Sequence, residues 1–231
     1  MRIIAATLNW KRPANVARIA TALQRQDYPC RAVVVTTPPS AALPPLDCEV
    51  ITIPQLGPYS RYAADYGDAD YLLLLDDDIL PGPGLVRAFA DCAGQYSHDL
   101  LGLYGRRVPA GSYNFRGISR TTQTQEVDML VRAYWMPAEC LETVRAAYRA
   151  WLAAGHGPRM LDDDILAVWA CRPRKCLLLS KGVGCTDLPE PYAIGRRMPH
   201  RLRHRSQVWR ECKRIFGLQD VENAPGINVR Q

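Results

Sequence analysis

Several features that mark common protein classes are missing from this sequence. No stretch approaches the roughly 18 to 20 consecutive apolar residues that span a bilayer, which argues against a membrane-spanning protein. The eight cysteines include no CxxC pair, so the spacing of a zinc ribbon is absent. After Met1 and Arg2 the chain enters a short apolar run, too short for the h-region of a signal peptide, which favours a cytoplasmic location.

The sequence does contain a large hydrophobic fraction and an uneven positive charge. Of its 231 residues, 48% are hydrophobic, so we predict one compact domain. The net charge is +6, and the excess lies near the C-terminus. That basic segment is either a solvated helix or a surface for something negative: a diphosphate, an anionic acceptor such as nucleic acid, or an acidic membrane surface. Its basic residues are Arg196, Arg197, Arg201, Arg203, Arg205, Arg210, Lys213 and Arg214.

Strand-like and helix-like patterns alternate along the chain, which is typical of an α/β fold with a largely parallel sheet. The continuous apolar run at the end of segment 70–75 predicts a strand buried on both faces. Segment 106–125 is polar, aromatic and punctuated by glycine, which indicates a loop or hairpin excursion. Predicted strands cover residues 3–7, 31–36, 49–53, 70–75, 100–104, 126–135 and 175–179, and predicted helices cover 13–24, 59–66, 85–92, 138–153 and 162–170.

An acidic triplet, Asp76, Asp77 and Asp78, follows the buried strand directly. In open α/β sheets, ligands bind outside the carboxyl ends of the strands, and the triplet lies at such an end. Three adjacent carboxylates repel one another, which is tolerable on a solvated loop or helix end, or around a hard divalent cation. The position beside a rigid core favours the cation.

Three segments in this order resemble GT-A glycosyltransferases, in particular family 2 and exostosin-like enzymes. The segments are Thr7-Leu8-Asn9-Trp10-Lys11-Arg12-Pro13, Gln26-Asp27-Tyr28-Pro29 and Leu74-Leu75-Asp76-Asp77-Asp78. The similarity covers the first half of the chain well and the second half loosely. It implies a GT-A type fold: a Rossmann-like, mostly parallel central sheet flanked by helices. The nucleotide-binding half would be about 1–105, the acceptor half about 106–194, and a basic C-terminal lid segment 195–231.

The resemblance also implies roles for individual residues around the donor. Thr7, Asn9 and Arg12 would line the nucleotide pocket at the end of the first strand. Arg61 matches a basic residue that such enzymes place near the donor. Asp128 falls where these folds contact the donor sugar or the acceptor, although a surface strand residue is an equally good interpretation.

A metal site is implied by the same resemblance. Asp76 would approach the ribose, and Asp78, together with Asp76, would bind Mn²⁺ or Mg²⁺ bridging the two phosphates, with Asp77 in the same donor site. His200 or His204 would complete the metal shell, as a C-terminal histidine does in several GT-A enzymes. The cation would act as Lewis acid and template for the departing diphosphate.

A second acidic triplet, Asp162, Asp163 and Asp164, precedes an apolar helical segment. It resembles the pair of acids that supplies the catalytic base in these families, so Asp163 or Asp164 would take the proton of the acceptor hydroxyl. The alternative is an N-cap with extra acids favoured by the helix dipole. Aromatic residues that could stack on a sugar are Tyr104, Tyr113, Phe115 and Trp135, although we expect at least half of them to be core aromatics.

The sequence therefore predicts a metal-dependent glycosyltransferase that uses a nucleoside diphosphate sugar, in particular a UDP-sugar. The acceptor would be a glycan or a hydroxylated base in DNA. Two alternatives remain open at this point. One is a metal-dependent nucleotidyltransferase, although the loop after the first strand lacks a glycine-rich segment that cradles a triphosphate. The other is a non-catalytic nucleic-acid-binding protein that uses the arginine-rich segment.

Overall fold

The computed structural model describes residues 1–108, 123–160, 162–180, 184–189 and 200–216, together with the backbone of 116–118. The strands, numbered along the chain, are β1 (Ile3–Asn9), β2 (Arg31–Thr36), β3 (Glu49–Thr52), β4 (Tyr71–Leu75), β5 (Ile79–Pro81), β6 (Leu100–Gly102), β7 (Gly105–Arg107), β8 (Arg116–Ile118), β9 (Gln125–Val127), β10 (Met129–Leu130), β11 (Ala133–Pro137), β12 (Cys176–Leu178) and β13 (Cys185–Asp187).

The central sheet has eight strands in the order β3-β2-β1-β4-β11-β6-β12-β9. The first four of these run parallel to one another, and β12 runs parallel to β6. Strand β11 is antiparallel to both of its neighbours, β4 and β6. Two small sheets, β10-β7-β8 and β13-β5, complete the strand pairing in the described residues. The predicted α/β class with a mostly parallel sheet is confirmed.

Helices cover both faces of this sheet. They are α1 (Pro13–Gln24), α2 (Ser60–Ala63), α3 (Leu85–Ala93), α4 (Cys140–Ala153), α5 (Asp163–Ala170) and α6 (Arg201–Phe216). Leu72 and Leu74 of β4 face one apolar cluster, while Leu73 and Leu75 face another, and all four are buried. The continuous apolar run was therefore correctly interpreted as a strand covered on both faces.

Helix α6 packs against the rest of the fold through an apolar stripe. Val208, Trp209 and Cys212 are buried, and the Trp209 ring meets that of Trp169 in α5 edge to face with centroids 5.2 Å apart. The described part of the basic segment, 200–216, is therefore a packed helix, and the lid role of segment 195–231 stays a prediction. A stripe of three buried side chains fixes such a helix because it removes apolar surface from water.

The predicted loop or hairpin excursion at 106–125 contains β8 and most of β7, which pair antiparallel as the strands of a hairpin do. The single strand predicted at 126–135 is instead parts of β9, β10 and β11. Strands of two or three residues are too short to show an alternating pattern, which is why the sequence does not reveal them. Among the described residues, no helix combines the length and apolar character needed to cross a membrane.

Candidate active site

The first acidic triplet lies in the turn between β4 and β5, at the edge where parallel strands β1 and β4 both end. Backbone hydrogen bonds fix each of its residues. The Asp76 amide donates to the Arg132 carbonyl over 2.7 Å, and Leu188 N–H donates to the Asp78 carbonyl over 2.8 Å. The Asn15 amide group donates to the Asp77 carbonyl over 3.0 Å. The triplet is therefore held by two loops and by a side chain of helix α1, which come from three different parts of the chain.

Each carboxylate of this triplet is paired with arginine. Arg61 donates to Asp76 over 2.8 Å, and Arg12 donates to Asp77. Arg12 also lies 3.5 Å from an Asp78 oxygen, and Arg132 lies 3.3 Å from the other. These arginines offset the repulsion expected among three adjacent carboxylates.

The second triplet is built differently, at the start of α5. Asp162 is fully buried and receives the guanidinium groups of Arg201 and Arg205, at 2.5 and 2.7 Å. The His204 Nε2 lies 3.2 Å from the same carboxylate. Asp162 occupies the N-cap position but makes no capping bond with its side chain. Asp162 is thus the N-cap residue of α5, as the alternative interpretation had it, but its carboxylate anchors α6.

Arg61 brings the two triplets together. Its Nη1 donates to Asp76 over 2.8 Å, while its Nε donates to Asp163 over 2.7 Å. Only 4% of the arginine is exposed, so this guanidinium is a buried bridge between carboxylates 87 residues apart (163 − 76). The acid implied at the donor and the acid implied as the base thus share one partner and line one site.

Asp164 completes the constellation at the start of α5. One of its oxygens accepts a 2.7 Å hydrogen bond from Arg205, and the other accepts from the Ile165 amide over 2.9 Å. Its side chain is 12% exposed, compared with 5% for Asp163. Both candidates for the catalytic base are therefore held at the same helix end, with Asp164 the more open to a substrate.

The pKa values of the acidic residues follow this geometry. Burial raises the pKa of Asp76, which Arg61 opposes, and burial raises the pKa of Asp77 to about 7 against the pull of Arg12. Burial also raises the pKa of Asp163, and the nearby Asp164 and Asp76 carboxylates act in the same direction. For Asp162, burial is outweighed by His204, Arg205 and Arg201, so its pKa is lowered. Perturbed carboxylates of this kind cluster at functional sites.

The predicted metal ligands Asp76, Asp78, His200 and His204 are not brought together. Within the described ranges, no group of three His, Cys, Asp or Glu residues could hold a metal ion. Asp78 instead faces two guanidinium groups, and His204 contacts Asp162. Carboxylate oxygens suit Mn²⁺ or Mg²⁺, but a cation at Asp78 would first have to displace arginine.

Thr7 and Asn9 lie in β1 and are fully buried. Asn9 donates to the Ala41 carbonyl over 2.9 Å and to the Thr36 hydroxyl over 3.2 Å, so it holds the loop after β2. Among the described residues, the Thr7 hydroxyl and the side-chain oxygen of Asn9 (Oδ1) have no hydrogen-bond partner. Buried polar atoms without partners are uncommon and mark positions where a ligand or water can bind. Their predicted contact with a nucleotide stays a prediction.

The remaining predicted residues have mixed outcomes. Asp128 accepts a 2.6 Å hydrogen bond from the Val108 amide, which fixes the end of β7, and its contact with a sugar stays a prediction. Trp135 is fully buried and stacked on Phe89 and Tyr71, so its assignment to a sugar-stacking wall is wrong. Tyr104 lies under the Arg132 guanidinium, 4.9 Å from ring centre to Cζ. Residues that fall outside the described ranges are Tyr113, Phe115, Arg196 and Arg197.

Arg132 is a site residue that the sequence does not reveal. It is the only described non-glycine residue with positive φ, at 69°. Its guanidinium also reaches Asp187 over 2.7 Å, in addition to Asp78. A left-handed backbone costs an L-residue roughly 1–2 kcal/mol and tends to occur where function requires it. The sequence signal is weak, because arginine has no special preference for this conformation.

Comparison with known proteins identifies the fold. No protein-family model matches the sequence, and neither does any curated protein. A solved structure of S. aureus TarS 1-349 matches with a TM-score of 0.54 and 14% identity, covering 79% of this chain and 59% of that one. A longer S. aureus TarS structure matches with a TM-score of 0.55 and 15% identity, covering 83% of this chain and 37% of that one. TarS 1-349 in complex with UDP matches with a TM-score of 0.54 and 15% identity, covering 79% of this chain and 59% of that one.

The chain thus has the GT-A glycosyltransferase fold, as the sequence resemblance implied. It spans less than two thirds of the length of each of these three structures. At such low identity the shared property is the fold, so activity has to be argued from the site.

Proposed function

We propose that this protein is a glycosyltransferase that moves a sugar from a nucleoside diphosphate sugar, in particular a UDP-sugar, to an acceptor hydroxyl. The observation that carries the proposal is the shared Arg61, which places Asp76 and Asp163 in one site at the carboxyl edge of the sheet. The fold is that of TarS, which has been solved in complex with UDP. Ligands of open α/β sheets bind at this edge.

In this proposal the first triplet serves the donor, and Asp163 and Asp164 of the second serve the acceptor. On the donor side, Asp76 accepts from the ribose, and the guanidinium groups of Arg12 and Arg132 lie where charge develops on the departing diphosphate. Fixed cations at that position stabilise the transition state because they need no reorganisation. Asp77 and Asp78 hold these two arginines in place.

On the acceptor side, Asp163 or Asp164 removes the proton from the acceptor hydroxyl. The acceptor oxygen forms a bond to the anomeric carbon as the bond from that carbon to the phosphate oxygen breaks. UDP leaves with the electron pair, and the proton stays on the carboxylate. The raised pKa of Asp163 suits a base that works near neutral pH.

Dependence on Mn²⁺ or Mg²⁺ remains part of this proposal, but no step above is routed through a metal. The carboxylates of Asp76 and Asp78 would be the ligands. A bound cation would supply further positive charge for the leaving diphosphate. Since Arg132 lies 3.3 Å from Asp78, cation and arginine compete for the same carboxylate.

The acceptor is a hydroxyl on a glycan or on a hydroxylated DNA base. The nucleic-acid-binding alternative is weakened by the structure, because Arg201 and Arg205 turn inward to Asp162. Arg203, Lys213 and Arg214 do remain exposed on α6. Steep salt dependence of DNA binding without any sugar transfer would favour that alternative. Release of pyrophosphate from a nucleoside triphosphate would favour a nucleotidyltransferase.

The test combines UDP binding with catalysis. We expect UDP to raise the melting temperature of the wild type, and UDP-sugar to be hydrolysed slowly without acceptor. Asp163→Asn or Asp164→Asn should lower turnover by at least about 100-fold, because the base is removed, while UDP still raises the melting temperature, because Arg12 and Arg132 are unchanged. If only one of the two variants loses turnover, the residue replaced in that variant is the base.

Asp70→Asn is the matched control, because Asp70 lies just before β4, at its opposite end, and pairs with Arg2 on the surface. We expect it to behave as the wild type in both assays. The proposal fails if UDP leaves the melting temperature unchanged in the wild type, or if both base variants retain full turnover.

A further inference from the structure

Arg106 differs from the other arginines around the candidate active site. Among the described residues, its side chain makes no hydrogen bond and no ion pair, whereas Arg12, Arg61, Arg132, Arg201 and Arg205 all contact carboxylates. The Nε atom of Arg106 is sealed from solvent and has no partner. A half-buried charge without a counter-charge is unfavourable, so the fold holds this guanidinium at a cost.

The position of Arg106 is beside the proposed catalytic pair. Its strand β7 pairs with β10, where Arg106 is opposite Met129. The Met129 sulfur lies 3.9 Å from Nη2 of Arg205, and that same nitrogen donates to Asp164 over 2.7 Å. Arg106 is therefore connected to Asp164 through Met129 and Arg205, and its strand belongs to the small sheet in the predicted acceptor half.

The surroundings of Arg106 are net positive. Burial is the main cause that lowers its pKa, and Arg205, Arg132 and Arg201 act in the same direction. Only the Asp164 carboxylate opposes them among its main neighbours. A guanidinium at positive potential favours an anion, because the anion compensates both the burial and the repulsion.

We propose that Arg106, flanked by Arg132 and Arg205, binds an anionic group of the acceptor, a phosphate or a carboxylate, next to Asp164. The assignment of this anion to the acceptor rests on the proposed function, in which the acceptor hydroxyl must reach Asp163 or Asp164. The donor diphosphate has the same chemistry, but in the proposed function it binds beside Arg12, at the ends of β1 and β4. The acceptor would thus be an anionic molecule rather than a neutral sugar.

The test measures the affinity for inorganic phosphate by calorimetry, with and without saturating UDP. Inorganic phosphate takes the place of the anionic group of the acceptor. The variants are Arg106→Gln, Arg106→Lys and the control Arg107→Gln. Arg107 is the next residue in β7, but it is exposed and donates to the Glu126 carbonyl. We expect Arg106→Gln to bind phosphate at least about tenfold more weakly than wild type with UDP present, because charge-assisted hydrogen bonds are lost.

Three further results are expected. Arg107→Gln binds phosphate as the wild type does, and Arg106→Lys keeps part of the affinity. The affinity of Arg106→Gln for UDP stays within about twofold of wild type, because none of the residues proposed to contact UDP is changed. The unfolding free energy does not fall in Arg106→Gln, since the replaced group has no partner in the described structure.

Two outcomes would overturn the assignment. If wild type binds no phosphate, or binds it no better than Arg106→Gln, there is no anion site at Arg106. If UDP displaces phosphate and Arg106→Gln loses UDP affinity instead, the charge serves the donor diphosphate. Failure of the transferase proposal is distinguishable, because wild type would then bind no UDP while the phosphate titration without UDP still reports on Arg106.

Discussion

The two acidic triplets have the same composition but opposite roles in the structure. In the first, Asp76 is 35% exposed, and its neighbours share arginines that come from separate loops. In the second, Asp162 is completely buried and holds Arg201, Arg205 and His204 of a single helix. The first triplet thus lies at the proposed donor site, while the first residue of the second is an anchor for α6. The difference shows that a run of aspartates acquires its role from its arginine partners.

The largest expected effect separates anchoring from ligand binding. Asp162→Asn should lower the free energy of unfolding by about 3–5 kcal/mol, because it removes the charge of a fully buried carboxylate that pairs with Arg201 and Arg205. Asp78→Asn should cost no more than about 1 kcal/mol, since its partners keep Asp77 and Asp187. Urea unfolding of both variants measures the difference. Equal losses would show that both triplets are structural.

A second prediction uses pH to sharpen the comparison. The raised pKa of Asp77, about 7, means that the folded state binds this proton more tightly than the unfolded state. Its contribution to stability is therefore lost as pH rises from about 4 to about 7. Asp162 has a lowered pKa, so its contribution is present above about 4 and is lost as pH falls through the folded value.

The measurement is unfolding free energy against pH, in wild type and in Asp77→Asn. We expect wild type to lose on the order of 1–2 kcal/mol between pH 4 and 7 at this site, after allowance for screening, and the variant to lose less. Parallel curves for the two proteins over this interval would contradict the assignment.

The smallest effect concerns the metal. If a cation binds at Asp78, chelation should stop sugar transfer, and Mn²⁺ should restore it. Arg132→Gln should then lower the Mn²⁺ concentration needed for half-maximal activity by about threefold, because one competitor for Asp78 is removed. Arg145→Gln is a suitable control, since Arg145 bonds to Glu142 and to backbone carbonyls around α2. Full activity in a chelator would contradict the metal requirement.

Much of the fold can be predicted from the sequence where periodicity is long. Helix α1 and strand β2 match their predicted bounds, because one has a clear apolar face starting after Arg12 and the other a run of valines. The short strands around Arg106 are missed, since three residues carry no measurable period. Their pairing depends on contacts with distant segments.

The candidate site shows the same division. The resemblance to GT-A enzymes led to Arg61, Asp76, Asp163 and Asp164, which the structure does bring together. It gave no indication of Arg132, whose role depends on a left-handed backbone. It also placed His204 near the metal, whereas the helix register of α6 directs it to Asp162. Side chains that act through tertiary pairing have no local signature in the chain.

The double contact of Arg61 makes the two halves of the site thermodynamically dependent on each other. A substrate group that takes Asp76 away from Nη1 changes how much positive charge the guanidinium offers to Asp163, and so changes the basicity of Asp163. By reciprocity, the protonation of Asp163 alters affinity at Asp76 by the same factor. Binding of the donor would therefore change the affinity for the acceptor, and binding of the acceptor would change the affinity for the donor by the same factor.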